Sequence, residues 1–63
     1  MDTLSAKELS VVQDILSEEE LLIKKFKMLS EQSQDRDIKD HLLSISEKHQ
    51  NHFNAVYSQL SKC

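Results

Sequence analysis

Three side chains in this sequence have the types and the placing for metal chemistry: Glu19, His49 and His52. The two histidines stand three residues apart within Glu47-Lys48-His49-Gln50-Asn51-His52-Phe53. On a helix, that spacing turns both imidazoles to one face. Imidazole nitrogens joined by a carboxylate oxygen suit a divalent ion such as zinc, iron or manganese. The surrounding pattern adds weight. Ile38, Leu42, Ile45, His49, His52 and Val56 follow one another in steps of four and three, the rhythm of the inward seam of a packed helix. Two polar rings therefore fall where apolar side chains are expected.

The elements that must position these groups are marked in the sequence. Ser5 followed by Glu8 is a capping box, flanked by Leu4 and Leu9 as a hydrophobic staple. From there an apolar stripe runs through Leu9, Val12, Ile15/Leu16, Leu22/Ile23, Phe26 and Leu29, interrupted at Glu19. It fades into Ser30-Glu31-Gln32-Ser33, so a first helix is expected over about 5–33. Ser17-Glu18-Glu19-Glu20 repeats the capping pattern, but the stripe keeps its phase across Ser17, which favours one continuous helix. A turn is expected at about 34–36, where Asp35 can cap the second helix and Asp37 places an acid in its first turn. The second helix is expected over about 36–60. The chain has no glycine and no proline to break either helix.

So short a link makes the two helices antiparallel neighbours. With the turn centred between Gln34 and Asp35, facing residues have numbers that sum to about 69. Leu9 then falls level with Leu60, Leu16 with Phe53, Leu22/Ile23 with Ile45, and Leu29 near Ile38. Glu19 falls level with Gln50, between the two histidines. The acid that interrupts one stripe thus faces the histidines that interrupt the other. His41 lies off the seam and is expected on the surface.

Composition excludes several classes of function. A net charge of −3 with interleaved acids and bases supplies no phosphate-neutralising stripe. One tyrosine and no tryptophan make a poor stacking platform for bases. Without glycine there is no phosphate-cradling loop. No apolar run is long enough to span a bilayer, and Met1-Asp2-Thr3-Leu4 does not resemble an export signal, so an unexported chain is expected. The single cysteine, Cys63, cannot form an internal disulfide. Catalysis is not expected, because 63 residues leave little room for a substrate cavity.

Such a chain forms one small all-α domain that needs a partner or a staple. Apolar residues come in double columns, Ile15/Leu16, Leu22/Ile23 and Leu42/Leu43. That width exceeds a two-helix seam and suits a helix with two neighbours. The expected architecture is an antiparallel helical hairpin that dimerises into a four-helix bundle.

A family resemblance rests on three stretches. These are Ile15, Ser17, Glu19, Leu22, Lys25 and Phe26; the turn Asp35-Arg36-Asp37-Ile38-Lys39; and the run from Ile45 to Phe53. They resemble the small spore coat proteins of endospore-forming bacteria, of the coat F type, within the ferritin-like superfamily. The resemblance implies a half-bundle that dimerises in ferritin-like fashion. It also implies a place in sporulation, in the cytoplasm or the spore coat, with other coat proteins as further partners. The ferritin-like motif has a glutamate on the first helix and Glu-x-x-His on the second. Glu19 and His52 match it, and His49 stands where the bridging glutamate would be. The implied site is therefore a histidine-rich, zinc-like centre and not a carboxylate-bridged pair of irons.

Two functions follow. One is a small homodimeric helical protein that binds a divalent metal through Glu19, His49 and His52. The other is a purely structural hairpin whose buried Glu/His layer sets the register of the dimer without a metal.

Overall fold

The structure, a computed structural model, describes residues 4–60. It is an all-helical hairpin: α1 spans Ala6–Gln32 and α2 spans Arg36–Leu60. The two pack along their lengths into a rod 46 Å long and 15 Å wide. Cys63 lies outside the described residues. None of the helices described is long and apolar enough to cross a membrane.

Local chemistry explains both helix starts. The Ser5 hydroxyl accepts from the Glu8 amide at 3.1 Å, and the Glu8 carboxylate accepts from the Ser5 amide at 3.1 Å. Two amides that lack helical partners are thereby satisfied. Asp35 Oδ1 caps α2 by accepting from the amides of Asp37 and Ile38, at 2.9 and 3.1 Å. At the end of α1 the Ser33 amide donates back to the carbonyls of Leu29 and Ser30. The helix runs unbroken through Ser17.

The register is the one the turn imposes. Ser30 donates its hydroxyl to the Lys39 carbonyl at 2.9 Å, and Ser46 donates to the Ile23 carbonyl at 3.0 Å. In both pairs the residue numbers sum to 69. These serines are the most enclosed of the described residues, 3% and 5% exposed. The sequence pattern places Ser30 in a fading polar tail, and the structure corrects this. Serine is small enough to let the helices approach, and its hydroxyl uses a second lone pair on a carbonyl of the opposite helix.

Among the described residues no apolar side chain is fully buried. Leu16, Leu22, Ile23, Phe26, Leu42, Ile45, Phe53 and Val56 are half-buried. Ile38, expected beside Leu29, is mostly exposed. Leu21 and Met28 are exposed as well, on the side of α1 turned away from α2.

Candidate metal centre

Glu19 and His49 meet across the two helices at the middle of the hairpin. Glu19 Oε2 lies 2.9 Å from His49 Nδ1, a hydrogen bond between half-buried groups. In that bond the ring nitrogen donates and the carboxylate accepts. The side chains are 17% and 22% exposed for Glu19 and His49.

His52 sits differently. Its Nδ1 is 3.8 Å from the same Glu19 oxygen, too far for a hydrogen bond. Its side chain is 65% exposed. The apolar rhythm places both histidines inside the seam; the structure puts His49 there and His52 at its edge. A turn of about 100° per residue explains the split. Three residues advance the helix by about 300°, so His52 falls about 60° short of His49 and faces out of the hairpin.

Together the three residues each bring one donor atom within 4.8 Å of the others. Around a tetrahedral ion with bonds of about 2.0–2.1 Å, neighbouring donors stand about 3.3 Å apart. The observed 2.9 and 3.8 Å bracket that value. An ion held by Glu19 Oε2 and the two Nδ1 atoms would replace the proton between Glu19 and His49. Nitrogen and carboxylate donors of this kind are those that zinc, iron(II) and manganese(II) accept.

Phe26 completes the surroundings. Its ring stacks on His49 at 5.8 Å between centroids and 8° between planes. His52 meets His49 edge-on, at 5.8 Å and 86°. The level rule pairs Phe26 with Leu42 and Leu43, and so does not foresee this stack. Side-chain direction is the missing signal. Helical side chains lean toward their own N-terminus. In an antiparallel hairpin, Phe26 and His49 lean toward each other across nearly two helical turns. The stack covers one face of the imidazole and restricts its rotation.

The rest of the described surface offers no comparable chemistry. His41 is exposed. A hollow of about 420 Å³ at the turn is lined by Ser33, Gln34, Arg36, Lys39 and Asp40, well removed from the cluster. Among the described residues it brings no histidine or cysteine to Asp40.

Comparison with known protein families, curated proteins and solved structures finds no match to this chain.

Proposed function

We propose that this chain is a small metal-binding helical protein that takes up a divalent ion through Glu19, His49 and His52. The observation that carries the reading is the approach of three donor atoms, from two helices, to within 4.8 Å of one another. Zinc, iron(II) and manganese(II) are the ions this donor set suits. Two hairpins associate as a four-helix bundle, because a single hairpin encloses no apolar side chain among the described residues. On the resemblance of Glu19, the 35–39 turn and the 45–53 run to small spore coat proteins alone, we further propose a role of that kind, in the cytoplasm or coat of a sporulating cell and in company with other coat proteins. Nothing in the site supplies a nucleophile with its base, so the reading is of binding and assembly, not of catalysis.

One observation favours a second reading. The 2.9 Å bond between Glu19 and His49 already satisfies both groups without an ion. In that reading the pair is a polar layer that holds the helices in register, and the chain is a structural interaction module.

Elemental analysis of protein purified without a histidine tag and without added metal separates the two. Stoichiometric zinc, iron or manganese is the expected result. Metal-free protein whose melting temperature does not rise with any of these ions contradicts the metal reading.

A further inference from the structure

The two broad sides of the hairpin differ. With about 100° per residue, Ile15, Leu22 and Leu29 of α1 lie on the same side as Ile38, Ile45 and His52 of α2. The opposite side is the one where Glu20, Ile23 and Lys24 share a shallow hollow with Gln50 and Phe53. That opposite side carries polar pairs and also exposes Leu9, Leu43 and Tyr57. Lys24 bonds Glu20 at 3.0 Å, and Gln50 donates to Asn54 at 3.0 Å. The first side exposes Val11, Ile15 and Ile38, each 44–54%, and differs in carrying the exposed donor of the metal cluster. His52 stands in its midst.

We infer that a second copy of this chain docks on the Ile15–Ile45 side and that the docked copy completes the ligand shell around Glu19, His49 and His52. The inference rests on the metal-binding reading and adds the partner to it. Three observations point to a second copy as the occupant. The first is position. Glu19 stands at the midpoint of α1, and His49 stands one residue past the midpoint of α2. Face-to-face two-fold pairing brings mid-levels together whether the two turns lie at the same end or at opposite ends. A cluster anywhere else along the rod would meet its copy in one orientation alone.

The second observation is area. A side 46 Å by 15 Å offers about 700 Å², near the ~800 Å² that each partner contributes to a standard stable interface. The third is ligand count. One chain brings three donors, fewer than the four of a closed tetrahedral site, whereas two chains around one shared ion on the two-fold axis bring enough to close it. His52, the exposed donor, is the one that faces the docked copy, and by symmetry His52 of the second copy faces back.

The test is sedimentation equilibrium and zinc titration of the full chain. Three variants are compared with the wild type: Ile15→Glu and Ile38→Glu, on opposite halves of the docking side, and Leu21→Glu, on the back of α1. All three positions are exposed in the hairpin, so the changes leave the packing within one chain in place, and circular dichroism checks helicity at the concentrations used. Wild type and Leu21→Glu should sediment as dimers. Ile15→Glu and Ile38→Glu should sediment as monomers and bind zinc at least tenfold more weakly. A wild-type monomer, or dimers that survive both docking-side changes, overturns the docking side. Monomeric Ile15→Glu that binds zinc as tightly as wild type overturns the shared shell and leaves the Glu19–His49–His52 reading standing. A wild type that binds no zinc overturns that reading and the shared shell together, while sedimentation still decides the docking side.

Discussion

Ser46 lies against Ile23 across the two helices, its hydroxyl donating to the Ile23 carbonyl oxygen at 3.0 Å. Size matters here as much as the bond. Ser46→Ala keeps the space and loses one neutral hydrogen bond, an expected cost of about 0.5–1.5 kcal/mol. Ser46→Leu must push the helices apart and should cost about 1–3 kcal/mol. Thermal melts of the two variants give the order. Equal melting temperatures would remove the close approach from the account.

The first turn of α1 makes a pH-dependent contribution with a definite sign. The Glu8 carboxyl is held below its ordinary 4.5, first by the hydrogen bond from the Ser5 backbone and then by the Ser5 side chain. A lowered folded-state value means the contribution is complete above about pH 4.5, the unfolded value. It is lost as pH falls through the lowered value. Wild type should therefore lose more stability than Glu8→Gln on acidification from neutral pH toward the bottom of that range. Separately, Ser5→Ala should cost about 0.5–2 kcal/mol at neutral pH.

The polar layer should show the asymmetry of half-buried hydrogen-bonded pairs. In metal-free protein, His49→Leu leaves the Glu19 carboxylate without its donor, at an expected cost of about 1–3 kcal/mol. Changing Glu19→Leu together with His49→Leu removes both partners and should restore or raise stability. Chemical denaturation of the single and double variants measures this. A double variant less stable than the single one would contradict the account.

Zinc should stabilise the fold. At about one hundred times its dissociation constant, a ligand specific to the folded state adds about 2.7 kcal/mol. In a domain of this size that raises the melting temperature by about 10–20 °C. Glu19→Gln, His49→Ala and His52→Ala should each abolish most of the rise, while His41→Ala should leave it intact.

Much of this architecture can be read from the residues. Ser5 and Glu8 announce the start of α1, and Asp35 the start of α2, because capping depends on local side-chain chemistry. The turn then sets which residues face each other, and with them the meeting of Glu19 and His49. Three features escape such a reading. Ser30 and Ser46 give no apolar signal, yet they are the most enclosed of the described residues and bond across the interface. His52 follows the apolar rhythm, yet each step of three lags by about 60°, enough to turn it outward on a two-helix hairpin. Phe26 reaches His49 through the lean of side chains toward their own N-termini, which level-matching along the axis ignores.

The most direct measurement is the NMR spectrum of the three histidine rings during zinc titration of the tag-free protein. His41 is an internal control, exposed and more than two helical turns from His52 along α2. The account predicts that the His49 and His52 ring signals shift together and saturate, while His41 stays in place. Rings that do not respond, or three that drift alike without saturation, would contradict a metal site built from Glu19, His49 and His52.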